Sequence, residues 1–302
     1  MQTAGPVTPS PAPPRGRLER LLGRWWRRQT PARQDRFATI GPLVSVLLFL
    51  AAIISAFWYL RNEEFEREQE AVKRDAEISQ QQIRLRVIEN QEQLVRIARE
   101  LATRTIDKDE FLGQAASFTR ERPEVNHLVW ITAARKSKAS FTAGGLQGPA
   151  GETEDGPLLE LPAENGKGEA EAAFVAARNQ RQPVYSRPYT NAAGHAAFQV
   201  QLPLLDRSAF VGTLLAEYSI EGLLRYFVPT EVTRRHAVTL FDEQGRTLAS
   251  SVMPMPSRIA RPASIVHDVP LAPPGNGVVL RSRGFRTSIG LIGNTLFWMV
   301  VA

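Results

Sequence analysis

The sequence predicts an α+β protein with an N-terminal transmembrane helix, a long stalk helix, two stacked antiparallel-sheet lobes and the start of a second transmembrane helix. Three observations carry this expectation. Residues 37–60 are twenty-four positions without a charged side chain. Residues 61–104 hold neither Gly nor Pro and repeat their seam positions every seven residues. From residue 125 onward, short runs alternate apolar and polar side chains between clusters of turn residues, the pattern of half-buried strands.

The uncharged stretch runs from Phe37 to Leu60 and closes on Phe57, Trp58 and Tyr59. At about 1.5 Å per residue it makes roughly 36 Å of helix, against a hydrocarbon core of about 30 Å. Ser55 and Ala56 form a poor cleavage site beside Phe57 and Trp58, which argues against a removed signal peptide. Arg15, Arg17, Arg20, Arg24, Arg27, Arg28, Arg33 and Arg36 precede the stretch, opposed only by Glu19 and Asp35, whereas Glu63, Glu64, Glu66, Glu68 and Glu70 follow it. Cytoplasmic flanks hold the excess of Lys and Arg, so residues 1–36 are expected inside and residues 61–288 outside.

A net charge of +6 and an isoelectric point near 10 would, taken alone, suggest a nucleic-acid partner. Their distribution argues for no nucleic acid. Eight of the 37 Lys and Arg and two of the 31 Asp and Glu lie in residues 1–36, which leaves 29 of each sign beyond. The basic surplus sits beside the membrane, where it sets topology and attracts anionic lipid. The chain has no cysteine, which removes disulfides, thiol nucleophiles and thiolate metal sites.

Residues 1–36 read as a disordered basic cytoplasmic tail, the first fourteen rich in Pro, Ala and Thr. Within it, Arg15 to Arg28 interleaves with Leu18, Leu21, Leu22, Trp25 and Trp26, either as an amphipathic helix on the inner leaflet or as solvated chain. The stalk, residues 61–105, places Ala76, Ile83, Asn90 and Ile97 at the a positions and Gln80, Val87, Leu94 and Leu101 at the d positions of a heptad. Ile83, Val87, Asn90, Leu94 and Ile97 form the expected seam of a homodimer, with Asn90 setting its register; the alternative is that this face packs on its own chain.

Asp107 and Glu110 form a capping box that opens a helix with the apolar stripe Phe111, Ala115 and Phe118. It begins a membrane-distal lobe, residues 106–229. A strand there carries His127, Val129 and Ile131 on one face and Leu128 and Trp130 on the other, and returns through 139–142. A Gly-, Pro- and Glu-rich loop at 144–168, a helix at 169–178 and strands at 184–189, 196–205 and 209–218 follow, and Ser219 caps a helix that Pro229 closes. A smaller membrane-proximal lobe, residues 230–288, begins with a hairpin turning on Asp242-Glu243-Gln244-Gly245 and adds strands at 264–269 and 277–282. Residues 289–302 are again apolar and uncharged, shorter than a span, and are expected to be a second transmembrane helix cut by the chain end.

No catalytic residue, metal site or cofactor is expected: the chain lacks HExxH and GxSxG motifs, and His127, His195, His236 and His267 are isolated. A small-molecule site is expected instead, from strand parity. In 184–189, Tyr185, Arg187 and Tyr189 would share one face; Gln199 and Gln201 share a face of a neighbouring strand, opposite Phe198, Val200 and Leu202. A face mixing phenols, amides and a guanidinium suits a small organic anion, its charge on Arg187 and Trp130 as a wall. The other reading pairs Arg187 with Glu217 and leaves the tyrosines as sheet surface.

The layout then resembles a known family. The stalk at 61–104, the run Gln182-Pro183-Val184-Tyr185-Ser186-Arg187-Pro188-Tyr189, Phe198 to Leu205 with Asp206, Leu214 to Ser219, and the hairpin from Leu240 to Gly245 are similar to the double-CACHE (PAS-like) extracytoplasmic region of bacterial transmembrane receptors, chiefly sensor histidine kinases. The resemblance covers residues 37–302. It implies two PAS-like lobes in the periplasm, an anchor in the inner membrane, ligand binding in the distal lobe, and a cytoplasmic histidine kinase that acts on a response regulator. No phosphoacceptor His box or nucleotide-binding glycine box occurs in these residues, so the segment itself is expected not to be an enzyme. The rival from another class is a bitopic envelope-assembly scaffold with a periplasmic α/β domain.

Overall fold

The computed structural model describes residues 31–143, 159–164, 167–251 and 265–284. The expected amphipathic segment at 15–28, most of the loop at 144–168 and the apolar segment at 289–302 lie outside the described residues. The chain divides into one unit up to Phe65 and a second from Glu66.

Helix α1 spans Pro31–Ala102, 72 residues, so that the expected span and stalk are one unbroken helix. From Ile40 to Leu60 every side chain is exposed except half-buried Ile53. Leu48, Ile54 and Trp58 are 66%, 67% and 72% exposed. Apolar side chains standing out all round a helix are stable in hydrocarbon and costly in water. At the other end, the amide of Arg104, itself at φ 58°, donates to the Leu101 carbonyl, and the amide of Thr105 donates to that of Glu100. These paired bonds close the helix three residues short of the expected boundary.

The second unit is built on two antiparallel sheets. After α2 (Lys108–Glu121), which has the predicted capping box from Asp107 and Glu110, come β1 (Val125–Thr132), β2 (Ser137–Thr142), α3 (Glu169–Gln180), β3 (Val184–Tyr185), β4 (Tyr189–Thr190), β5 (Ala196–Asp206) and β6 (Ala209–Ser219). The distal sheet has the order β2-β1-β6-β5-β3, with β4 also paired to β5. Ser219 caps α4 (Ile220–Phe227), its hydroxyl accepting from the Gly222 amide. Then follow α5 (Thr230–Arg235), β7 (His236–Phe241), β8 (Thr247–Ser250), β9 (Val266–Pro270) and β10 (Val279–Gly284), with the sheet order β8-β7-β10-β9. The predicted hairpin forms as expected: Asp242 Oδ1 accepts from the amides of Gln244 and Arg246, and Gly245 takes φ 78°.

One face of the distal sheet, with Leu128, Trp130, Phe198, Val200, Leu202, Leu214, Ala216 and Tyr218, packs on α1 and α2 in a core that continues to Val238, Leu240 and Leu280 of the proximal sheet. Here the row expected to face a second copy is occupied within the chain, as in the alternative reading. Ile83, Val87, Asn90 and Leu94 have no exposed surface and Ile97 has 8%, because this row of α1 is buried on the chain's own sheet. Asn90 donates to Glu124 Oε1 at 2.7 Å and accepts from Arg122 Nε at 2.8 Å. It joins the helix to the start of β1, a task that needs no second copy. Lower on α1, Asp75 Oδ2 lies 2.9 Å from His236 Nδ1. There too Gly284 lies so close to the helix that a Cβ on it would stand 3.3 Å from Val72 Cγ2 and 3.2 Å from Glu68 Oε1.

Single cysteines test this packing against a background free of thiols. A cysteine at 83, 87 or 94 is expected to resist a water-soluble thiol reagent in the folded chain, whereas one at Leu85, 52% exposed, reacts at the rate of a free thiol. Leu94→Ala is expected to cost about 2–5 kcal/mol in urea unfolding, the range for a truncated core leucine.

Candidate functional site

The face of the distal sheet turned away from α1 is different in kind. Its apolar part, Val129, Ile131 and Leu215, meets Leu159 and Phe174 of the covering segment and α3. Beside it lies a polar rung that crosses the sheet, because the register sets Gln199 opposite Glu217, Glu217 opposite His127 and His127 opposite Thr142. Gln201 and Thr213 add to the same face by the alternation of β5 and β6. Gln199, Gln201, Thr213 and Glu217 have no exposed surface.

The polar groups form a directed chain. Gln199 Nε2 donates to the Glu160 carbonyl at 2.7 Å and to the Tyr189 hydroxyl at 2.6 Å. Tyr189 donates to Glu217 Oε2, and Asn191 Nδ2 lies 3.5 Å from Glu217 Oε1. His127 Nε2 stands 3.7 Å from Glu217 Oε1, while its Nδ1 meets the Thr142 hydroxyl at 3.0 Å. Gln201 Nε2 reaches Gln199 Oε1 at 3.4 Å. Gln201 Oε1 and Thr213 Oγ1 are buried without a hydrogen-bond partner.

Burial dominates the electrostatics of this face. It raises the Glu217 carboxyl to about 7, an effect that the bonds from Tyr189 and Asn191 oppose and the charge of Glu160 reinforces. Burial lowers His127 to about 4, so the ring is neutral. The Tyr189 phenol is pushed upward by burial and then by the Glu217 charge, and stays protonated. Arg135 is committed elsewhere, with two bonds of 2.8 and 2.6 Å to Glu171 on α3.

Of the six residues expected to form the ligand site, the structure brings together Tyr189, Gln199 and Gln201. The other three lie elsewhere. Tyr185 pairs with Val200 and Tyr189 with Ala197, so four steps on one strand match three on the other. The extra residue resets the side-chain alternation, and the run expected as one strand becomes β3 and β4. Tyr185 consequently turns to the opposite face and donates to Gln91 Oε1 on α1 at 2.7 Å. Arg187 is 63% exposed and stands 3.7 Å from Glu243 of the proximal hairpin; it neither joins the polar face nor pairs with Glu217. Trp130 packs edge-on to Phe111 under the Lys138 ammonium, on the α1 side of the sheet. The expected anion site on Arg187 is therefore not assembled.

Glu217 and His127 are the site residues that sequence reasoning passed over. A signal existed: Glu217 interrupts the apolar run Leu214 to Tyr218, and His127 shares parity with Val129 and Ile131.

The pH dependence of folding reads this face directly. Glu217 has a folded value of about 7 against an ordinary 4.5, so the folded chain holds the extra proton and its contribution to stability is lost as pH rises towards 7. His127 has a folded value of about 4 against 6.5, so its contribution has the opposite sign and grows as pH rises towards 6.5. Between 4.5 and 6.5 the two cancel. Thermal melts are expected to show Glu217→Gln gaining stability with pH across that window, and His127→Gln losing it.

No family model matches the chain, and no curated protein matches it. Similar solved structures are ligand-binding domains of bacterial chemoreceptors. One from Pseudomonas fluorescens, in complex with L-isoleucine, is 12% identical, covers 75% of this chain and 96% of its own, and has a TM-score of 0.49. One from Campylobacter jejuni with 4-methylisoleucine is 10% identical over 72% of this chain and 90% of its own, at 0.49. An amino acid chemoreceptor domain of Pseudomonas aeruginosa with GABA is 11% identical over 72% and 99%, at 0.48. At these identities the likeness is one of fold.

Proposed function

We propose that the chain is the extracytoplasmic ligand-sensing and signal-transmitting part of a bacterial membrane receptor, with the polar face of the distal sheet as its ligand site. The observation that carries this reading is that Gln201 Oε1 and Thr213 Oγ1, on the same covered face as the buried Glu217 carboxyl, have no hydrogen-bond partner among the described residues. A buried polar group left without a partner costs about 1–3 kcal/mol. Apolar side chains at these positions would fold better, so the polarity has a use other than folding, and a small molecule that supplies the missing partners is that use.

Transmission is supported by α1, which runs unbroken from the apolar segment at 40–60 to Ala102. Its inner row is packed on the opposite face of the same sheet. The resemblance in sequence assigns the output to a sensor histidine kinase acting on a response regulator. Pairing of two copies, with the inner row already occupied, falls to the outer face, where Ile78 and Leu85 are 41% and 52% exposed seven residues apart. Placement in the inner membrane with residues 61–288 in the periplasm rests on the arginines before the span and the glutamates after it.

Reporter fusions that are active only when exported are expected to work after residues 120 and 200 and to fail after residue 30. In a thermal-shift screen of the full chain in lipid nanodiscs, a small molecule that stabilises the parent is expected to lose about tenfold or more in affinity with Gln201→Leu, each lost bond to a polar ligand group being worth about 1–3 kcal/mol. Arg187→Ala is expected to leave its affinity unchanged.

A further inference from the structure

We infer that the displaced residue at Ser186 is a switch between the two lobes. The Ser186 carbonyl is released from the distal sheet to Asn276 of the proximal lobe, and the same displacement sets Tyr189 on Glu217. Its use in signalling rests on reading the polar face as the ligand site, whereas the coupling itself needs no ligand.

The ladder shows how the carbonyl comes free. Two residues that face each other in a hydrogen-bonded antiparallel pair exchange both bonds, each amide going to the other's carbonyl. Ser186 and Gln199 make only half of that exchange. The Ser186 amide donates to the Gln199 carbonyl at 2.8 Å, but the Gln199 amide donates to Ser186 Oγ, also at 2.8 Å. The hydroxyl in turn donates to the Arg187 carbonyl at 2.9 Å, so it replaces the backbone acceptor and holds the displaced segment. Ser186 is buried, and its freed carbonyl needs a donor. Asn276 Nδ2 supplies one at 2.8 Å.

Asn276 stands on the turn between β9 and β10, which the Leu271 amide closes by donating to the Val278 carbonyl at 2.9 Å. From there β10 runs to Gly284 on α1. Arg187, the next residue after Ser186, faces Glu243 of the other proximal turn at 3.7 Å.

A second arrangement uses the same groups. When Asn276 withdraws, the Ser186 carbonyl can take back the Gln199 amide, and a regular strand continues the pairing of Val184 with Gln201 and Tyr185 with Val200. Alternation then carries Tyr189 to the face of Tyr185, away from Glu217. The observed arrangement has its own cost, because Asn276 Oδ1 is buried without a partner. A segment with two bonding schemes, each favoured by a different site, couples those sites, and the coupling acts equally in both directions. A ligand that holds Tyr189 on the polar face therefore tightens the lobe contact, and one that displaces it loosens that contact.

The test uses the full chain in lipid nanodiscs without ligand. At pH 8, above the Glu217 value of about 7, Tyr189→Phe is expected to lower Tm by about 2–4 °C, the shift for one hydrogen bond in a chain of this size. In an Asn276→Leu background, where the bulge has lost its proximal partner, the same substitution is expected to lower Tm by less than about 1 °C. Hydrogen exchange read by mass spectrometry gives a second measure without altering Asn276. Tyr189→Phe is expected to speed exchange of the amides at 271–278 about fivefold, the change in opening that one lost bond makes, and to leave β8 unchanged. An equal loss of Tm in both backgrounds overturns the inference, as does unchanged exchange at 271–278 or equal acceleration in β8. Should Asn276→Leu not fold, the exchange measurement decides alone. Neither result bears on the ligand site, whose own screen succeeds or fails independently.

Discussion

Burial of one row of α1 against the distal sheet is the contact on which the second unit depends. Ile83, Val87, Leu94, Ile97 and Leu101 meet the α1-facing side of β1, β5 and β6. Each such side chain removed from water is worth about 1.5–3 kcal/mol. Asn90 sits among them and is tolerated because Glu124 and Arg122 satisfy its amide. Since that row secures the fold, the far side of the sheet is free to carry groups that weaken packing.

That division explains how a sheet can hold Glu217, Gln199, Gln201 and Thr213 out of water. β5 and β6 are long, and alternation sends Phe198, Val200, Leu202, Leu214, Ala216 and Tyr218 to the helix side and the polar set to the other. A single displaced residue between Tyr185 and Tyr189 then decides which phenol serves which side. Tyr185 ties the sheet to α1, and Tyr189 becomes the donor to Glu217. The segment that makes this adjustment also meets the proximal lobe, since Asn276 Nδ2 donates to the Ser186 carbonyl at 2.8 Å.

Much of this was legible in residue order. Helix starts at Asp107 and Ser219, the Asp242 to Gly245 turn and the two faces of β1 follow from local chemistry that acts over a few residues. The same holds for Gln199 and Gln201 lying opposite Phe198 and Val200. What could not be read was the identity of partners. A heptad row states that a face is buried but not against what, and Asn90 has the same signature whether it meets a second helix or Glu124. Parity carried Tyr185, Arg187 and Tyr189 to one face because an extra residue in a strand leaves no trace in composition. Pro188, which has no amide hydrogen to give to a ladder, was the one hint that the run is not continuous. Glu217 was missed because a lone acid in an apolar strand acquires meaning only when the register sets it between Gln199 and His127.

The close approach at Gly284 joins two stretches that are far apart along the chain. α1 runs past Gly284 at Glu68 and Val72, and the last described strand ends so close to those side chains that a methyl group on Gly284 would stand 3.2 and 3.3 Å from them. The two stretches thus touch. Close-packed contacts transmit displacement, so a sliding movement of the helix at this level would be felt at the end of β10. Helix and strand are in direct contact there, and the missing side chain of Gly284 is what allows the close approach.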